Sequence, residues 1–236
     1  MDWLLGFYDW LLGFYNYRIV IQYLPEFGRG LWATIWISAI AMVMALSLGT
    51  VVAIMRMSAN PIWWRIAAGY VQAIRSTPLL VQIYVIYFAL PPLPLLGRRL
   101  DEIEGGILAL GLNAGAFMSE IIRAGIQSIE KGQVEGAMSV GMTYIQRMRY
   151  VVLPQAFARV VPPLLGQTAV LIKDSSLVSF IGVFELFGAG LFVYSERLKP
   201  NEGYLTVAAC YLAIYFFMMY LANSAQRRLG GGRAAQ

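Results

Sequence analysis

Apolar and polar residues alternate along this chain as long blocks rather than as single positions. Apolar runs of roughly 20 residues fall at about residues 31–55, 78–96, 105–125, 160–182 and 204–222. A helix that crosses a bilayer core about 30 Å thick needs about 20 consecutive apolar residues. The pattern therefore predicts an all-α, polytopic membrane protein of about five transmembrane helices.

Composition supports this class and excludes several chemistries. The 236 residues are 59% hydrophobic and 13% charged, whereas a soluble domain has about 25% charged residues. Histidine is absent and Cys210 is the only cysteine, so His-dependent catalysis, Cys/His metal sites and an internal disulfide are excluded. The chain also lacks a glycine-rich phosphate loop with its lysine. We therefore expect no catalytic residue, metal or cofactor on this chain.

The distribution of basic residues predicts the orientation. Eleven arginines and lysines lie between predicted spans one and two, between spans three and four, and after span five, against six in the opposite set of segments. Basic residues collect on the cytoplasmic side of membrane proteins. The N-terminus is then outside, the C-terminus is cytoplasmic, and the net charge of +5 needs no nucleic-acid partner to explain it.

The two ends of the chain differ from the apolar middle. The heptapeptide Asp2–Tyr8 is repeated as Asp9–Tyr15; it is either an aromatic segment at the outer membrane interface or a duplication without a role. We expect residues 1–26 to form an external segment and residues 27–226 the transmembrane domain. Residues 227–236 are glycine-rich and are expected to be a disordered cytoplasmic tail.

Proline and glycine mark the remaining connections. Pro61 is expected to start a short cytoplasmic connection. Pro91, Pro92 and Pro94 are expected to end the second span near the outer surface. Residues 185–203 are too polar to span and are expected to be an external loop, which is a candidate surface for a partner outside the membrane.

A polar segment between the third and fourth spans has the pattern of a helical hairpin. Residues 133–138 are compatible with a short helix, and Gly141 can adopt the left-handed conformation that closes it. Thr143 and Gln146 have capping-box spacing, which predicts a second short helix that continues until Pro154 ends it. Local rules alone leave a solvated loop as the alternative.

The same segment, about residues 127–154, resembles the EAA loop of permease subunits in ATP-binding cassette (ABC) importers. In that family the loop docks into a groove of the cytoplasmic ATPase. Gly136 stands where the family usually has alanine, which costs about 0.5–1 kcal/mol of helix stability. The residues that occupy the family's positions are Glu135, Gly136, Ala137, Gly141, Val151, Leu153 and Pro154.

The resemblance extends over roughly residues 30–225. Arg75–Gln82 looks like the RGTPLLVQ segment of permeases for polar amino acids, with one serine in place of glycine. Ala114–Ile129 is similar to the third span and its exit in that subfamily. Lys173–Leu177 matches its KDTSL segment, with Ser175 in place of threonine. The match is to permeases of the histidine, glutamine and arginine importer type.

This resemblance implies a type I ABC importer permease fold in a bacterial inner membrane. It further implies a second permease subunit, identical or related, two ABC ATPases that bind ATP and Mg²⁺, an external solute-binding protein and an amino acid substrate. Two alternatives belong to other classes. A membrane enzyme would need an acid, base or metal constellation, but Asp101, Glu102 and Glu104 share one short, simply solvated loop. An ATP-independent carrier or channel would transport without the cytoplasmic hairpin.

Polar residues inside the predicted spans are candidates for the substrate path. A charge at the bilayer centre costs at least about 2.5–3.5 kcal/mol, so such residues usually face a protein interior or a cavity. Glu120 shares a helix face with Arg123; it either borders the path or only neutralises Arg123. Lys173 and Asp174 either line the cavity or belong to a buried structural network. The candidates are Gln82, Asn113, Glu120, Thr168, Lys173, Asp174, Ser175 and Ser176.

Overall fold

The structure, a computed structural model, describes residues 13–90 and 98–230. Throughout these two ranges the ordered elements are helices, without strands. Four helical runs are long and apolar enough to cross a membrane, and the shorter apolar helix Leu79–Ala89 adjoins them. The four runs are Leu24–Arg56, Glu102–Gln127, Tyr144–Ile181 and Pro200–Leu229. The predicted all-α class with about five membrane helices is confirmed.

We number the helices in chain order. They are α1 (Tyr17–Gln22), α2 (Leu24–Arg56), α3 (Pro61–Arg75), α4 (Leu79–Tyr84), α5 (Glu102–Gln127), α6 (Lys131–Ser139), α7 (Tyr144–Arg147), α8 (Leu153–Asp174), α9 (Leu186–Arg197) and α10 (Pro200–Gly230). Helix α4 continues as the π-helical turn Val85–Ala89, and α7 is joined to α8 by the π-helical turn Met148–Val152. Helix α8 continues as the 3-10 turns Ser175–Ile181.

The main core lies between α2 and α5, which run side by side. Small residues allow their backbones to approach: a Cβ on Gly49 would lie 3.1 Å from the Gly115 carbonyl oxygen, and one on Gly111 would lie 2.6 Å from Met44 Sδ. Such residues are typical of membrane helix contacts, where close packing replaces the hydrophobic effect. The fully buried core members include Ile37, Ala41, Ala45, Ile83, Leu110, Met118, Leu171 and Val178.

The segment after Pro61 is a 15-residue helix, so the predicted short connection is wrong. Asn60 caps α3 by accepting from the Ile62 amide, and Pro61 is at its first position, where a missing N–H costs nothing. The helix packs back onto α2 and α5 through buried Ala67 and Val71. Its apolar residues are interrupted by Arg65, Gly69, Gln72 and Arg75, so it does not read as a continuous apolar run.

Residues 185–203 also contain a helix where an external loop was predicted. Helix α9 packs against α2 and α10, and Leu186, Ala189 and Val193 are fully buried there. It ends at Leu198, whose φ of 52° is left-handed. Its apolar face was missed because polar residues concentrate near its C-terminal end and in the turn that follows.

The predicted hairpin is present, with one correction. Gly141 has a φ of 77°, and Thr143 and Gln146 form a capping box at the start of α7. Pro154, however, does not end the second helix, which continues through the π-helical turn into α8. Pro154 has no N–H to donate to the preceding turn, and the irregular π-helical turn Met148–Val152 lies directly before it.

Some predictions fall outside the described residues. These are most of the N-terminal tandem repeat, at residues 1–12, the proline-rich end of the second span, at residues 91–97, and the tail at residues 231–236. Helix α10 continues to Gly230, so residues 227–230 of the predicted disordered tail are helical.

Candidate functional site

Gln82 and Asn113 are brought together inside the bundle. Asn113 Nδ2 donates to Gln82 Oε1 at 2.9 Å, and both residues are buried. Gln82 Nε2 is directed at the Ile74 and Thr77 carbonyl oxygens, at 2.8 and 3.0 Å, and at Thr77 Oγ1 at 2.8 Å. The pair therefore connects α5 to the break between α3 and α4, where Pro78 prevents continuous helical hydrogen bonding.

Glu120 is held by two arginines near one end of α5. Arg123 Nη2 lies 2.7 Å from Glu120 Oε2, and Arg56 Nε lies 3.4 Å from Glu120 Oε1. The Arg56 guanidinium also lies over the Trp64 ring, 5.3 Å from its centroid. Because both carboxylate oxygens face guanidinium groups, this geometry favours the neutralising role for Glu120 over a free substrate contact.

The polar residues 173–176, at the end of α8 and the start of the 3-10 turns, lie in two different environments. Lys173 is exposed on the surface of the chain, with Nζ 4.8 Å from the Tyr215 ring centroid. Ser175 is fully buried, and its hydroxyl donates to the Ile172 carbonyl at 2.8 Å. No salt bridge joins Lys173 to Asp174, although the structure describes both. One residue of the motif thus faces outward and another faces the core.

The remaining candidates are spread along the bundle. Thr168 is buried one to two turns before this motif, donates to the Leu164 carbonyl at 2.8 Å and lies 3.1 Å from Met42 Sδ. Ser176 is half-buried in the 3-10 turns. A cavity of about 550 Å³ between α8 and α10, lined by residues that include Arg159, Asn223 and Gln226, contains none of the candidates. The candidates thus lie in several different environments of the described chain, and this cavity is not their meeting point.

The hairpin of α6 and α7 exposes an apolar tip. We define this tip by four side chains with exposed fractions of 49% to 75%: Met138, Val140, Tyr144 and Ile145. Among the residues matched to the family loop, Ala137 is buried, Val151 is half-buried, and Glu135, Gly136, Gly141, Leu153 and Pro154 are exposed. Exposed apolar groups clustered in a polar segment are typical of a protein contact.

The base of the hairpin is attached to two spans. Ile129, just after α5, packs with Val152 of the π-helical turn and with Ala156 at the start of α8. Arg159 of α8 donates to both the carbonyl and the hydroxyl oxygen of Ser128, the latter at 2.9 Å. The base of the hairpin is therefore attached to both α5 and α8.

Sequence reasoning missed two sets of residues. The apolar tip was overlooked because its four residues are not among the family's spaced positions. The signal was present as apolar residues inside a polar segment. Glu185, fully buried, was assigned to an external loop because its burial depends on helices that are distant in sequence.

Comparisons with known proteins agree with this geometry. The family described as "Binding-protein-dependent transport system inner membrane component" matches residues 41–231. The probable glutamine ABC transporter permease protein GlnM of Bacillus subtilis (strain 168) is 37% identical, over 91% of this chain and 98% of its own length. The arginine transport system permease protein ArtQ of the same strain is 32% identical, over 91% of this chain and 97% of its own.

Two solved structures are similar. A crystal structure of an amino acid ABC transporter with histidines contains a chain that is 35% identical, with a TM-score of 0.83, over 88% of this chain and 96% of that chain. An inward-facing structure of the MetNI methionine ABC transporter gives a TM-score of 0.73 at 19% identity, over 86% of this chain and 96% of that chain. The second likeness concerns the fold alone.

Proposed function

This chain belongs to the family of binding-protein-dependent transport system inner membrane components, and we propose that it is the permease subunit of an ABC importer for polar amino acids. It has the fold of ABC importer permeases. The printed names of its relatives include glutamine and arginine permeases, which supports polar amino acids as the substrate class. Its residues form the membrane path, while ATP and Mg²⁺ are bound by a separate ATPase subunit.

The observation that most supports coupling to an ATPase is the apolar tip. Val140 and Ile145 are 73% and 75% exposed although both lie in the polar segment between the apolar sequence runs 105–125 and 160–182. Docking into a groove of a partner would remove this apolar surface from water, which is favourable by about 25 cal/mol per Å². The family's loop residues Glu135, Gly136, Ala137, Gly141, Val151, Leu153 and Pro154 then shape the hairpin that presents the tip.

The exposed position of Lys173 supports a second permease subunit. A lysine within a span is costly against lipid, so this face of α8 and α10 is directed at a partner or a water-filled path. We propose that Lys173, Asp174 and Ser176 border a path between two subunits. Gln82, Asn113, Thr168 and Ser175 shape its wall, and Glu120 neutralises arginines near its cytoplasmic end.

The proposed orientation follows from charge. The hairpin is cytoplasmic, where the ATPase binds it, because basic residues are concentrated on that side. The N-terminus and the turn between α9 and α10 are external, on the side of the solute-binding protein. In a bacterial inner membrane, this orientation would make both functional faces accessible to the appropriate partner.

Transport by reconstituted protein tests the proposal. The chain is incorporated into proteoliposomes with its ATPase and binding protein, and labelled amino acid uptake is measured with and without ATP. Ile145→Asp places a charge at the apolar tip, and Leu229→Asp places one at the cytoplasmic end of α10 as the matched control. We expect uptake to depend on ATP. Ile145→Asp should reduce it at least about tenfold, which is equivalent to about 1.4 kcal/mol. Leu229→Asp should leave it unchanged.

The alternative function, an ATP-independent carrier or channel, predicts a different result. Uptake would then continue without ATP and would be equal in the Ile145→Asp and Leu229→Asp variants. Either observation would reject the coupling function of the hairpin.

A further inference from the structure

A fully buried carboxylate lies where four elements meet on the proposed external side. Glu185 directly precedes α9 and is 0% exposed. Over the described residues, the salt bridges involve Glu104 and Glu120 but not Glu185. Because burying a carboxylate without a cation is costly, its oxygens require hydrogen-bond donors.

Four donors fill both oxygens of this carboxylate. Oε1 accepts from the Gly188 amide at 2.9 Å and from the Ser179 hydroxyl. Oε2 accepts from the Tyr211 hydroxyl at 2.6 Å and from Thr34 Oγ1 at 3.1 Å. An ionised carboxylate offers about four lone-pair sites, so the set is complete. The donors come from α2, the 3-10 turns, α9 and α10, and Glu185 is their common acceptor.

The backbones at this junction are also in direct contact. Thr34 Oγ1 accepts from the Leu186 amide at 3.1 Å while donating to Glu185. A Cβ on Gly30 would lie 2.8 Å from the Glu185 carbonyl oxygen. The external part of α2 therefore lies against the start of α9 without an intervening side chain, and the two elements cannot separate without breaking these hydrogen bonds.

The 3-10 turns connect this junction to the proposed substrate path. These turns begin at Ser175, whose hydroxyl donates to the Ile172 carbonyl. Ser179 donates from the next turn of the same segment. Lys173 and Asp174 directly precede these turns and residues 175 and 176 begin them, so their position depends on the hydrogen bonds that Glu185 accepts.

We propose that Glu185 is a positioning residue for transport: it holds the external ends of α2, α9 and α10 and the 3-10 turns as one unit, so that residues 173–176 move with these helices during the transport cycle. The proposal rests on the proposed function, because it assumes that this segment borders the substrate path. Glu185 acts through the hydroxyls of Thr34, Ser179 and Tyr211 and need not touch the substrate.

The number of amino acids transported per ATP hydrolysed tests this role. Glu185→Gln keeps one acceptor oxygen but turns an amide NH₂ group toward two of the donors. Tyr211→Phe and Thr34→Val each remove one donor, and Thr34→Ser retains the hydroxyl. In proteoliposomes with the ATPase and binding protein, we expect the ratio to fall about tenfold for Glu185→Gln and about threefold for each donor deletion. Thr34→Ser should preserve it.

Controls separate positioning from stability. Tyr220→Phe is the matched control, since Tyr220 lies on α10 and is 68% exposed. A purely structural role would lower the amount of assembled complex, reducing uptake and ATP hydrolysis in proportion and leaving their ratio unchanged. The inference would be overturned if the number of amino acids transported per ATP were unchanged in both Glu185→Gln and Tyr211→Phe, while the wild type and Tyr220→Phe transport normally. Wild-type protein without ATP-dependent uptake would instead reject the proposed function, and the inference with it.

Discussion

Glu120 lies between two guanidinium groups, 2.7 Å from Arg123 Nη2 and 3.4 Å from Arg56 Nε. The pair with Arg123 follows from a spacing of three residues on a helix and was predicted. The contact with Arg56 depends on the packing of α2 against α5 and was not. With side chains about one-fifth exposed, these pairs serve to satisfy charges near the membrane edge rather than to add much stability.

The Gln82 amide gives a prediction at the residue scale. Gln82→Met keeps a side chain of similar length, but it removes the amide that bonds the Ile74 carbonyl, the Thr77 carbonyl and the Asn113 amide. Each unsatisfied buried group costs about 1–3 kcal/mol, so we expect a clear fall in the melting temperature of the detergent-solubilised protein. Gln72→Met is the control, because Gln72 is exposed and bonds only Ser76 Oγ at 3.0 Å. Equal melting temperatures for the two variants would contradict the bridging role.

Among the elements, the hairpin shows how local sequence and packing combine. Its turn and second N-terminus are encoded locally by Gly141 and by the Thr143–Gln146 capping box. Its attachment is not local, because Ile129 and Arg159 contact residues 23 to 31 positions away. The continuation through Pro154 joins α7 to a membrane span as one helical run, which is suited to transmitting force.

Two glycines of the hairpin should respond oppositely to alanine. Gly141 has a positive φ, so Gly141→Ala introduces strain of about 1–2 kcal/mol. Gly136 is helical with no atom within 4 Å of a Cβ, so Gly136→Ala should stabilise α6 by about 0.5–1 kcal/mol. Amide hydrogen exchange over residues 131–147 should become faster in the first variant and slower in the second. Unchanged or slower exchange in Gly141→Ala would show that the left-handed turn conformation is not required.

The whole molecule is shaped for a lipid environment. Large apolar side chains on its long helices are exposed, among them Trp32, Val43, Ile54, Phe216 and Phe217. In water such a surface would be an aggregation or docking surface, whereas lipid tails solvate it without cost. The core instead depends on small residues that bring α2 and α5 into contact, as expected where the hydrophobic effect does not drive association.

The orientation of the molecule is testable with single cysteines. Cys210 is first replaced by alanine, and a cysteine is then introduced at Lys199 or at Gly132, both of which are exposed. A membrane-impermeant maleimide applied to spheroplasts should label the Lys199→Cys variant, because the positive-inside rule places that turn outside. The Gly132→Cys variant should be labelled only after permeabilisation. The reverse pattern would invert the orientation and separate the hairpin from a cytoplasmic ATPase.

The sequence by itself determined the membrane class, the approximate spans, the turn at Gly141 and the family. These depend on apolar run length, on local backbone conformation and on residues at fixed spacing, all of which can be read along the chain. The amphipathic helix α3 and the helix α9 were missed because their burial depends on elements packed against them.

Only the tertiary structure decided which polar residues share an environment. Gln82 hydrogen-bonds with Asn113, 31 positions away. Glu185 accepts hydrogen bonds from Thr34 and Tyr211, which lie on helices that are remote in sequence. Hydrogen bonds between separate helices follow from the way the helices pack, which no local pattern specifies. For the same reason, the exposed Lys173 and the buried Ser175, two positions apart in one motif, face different surroundings.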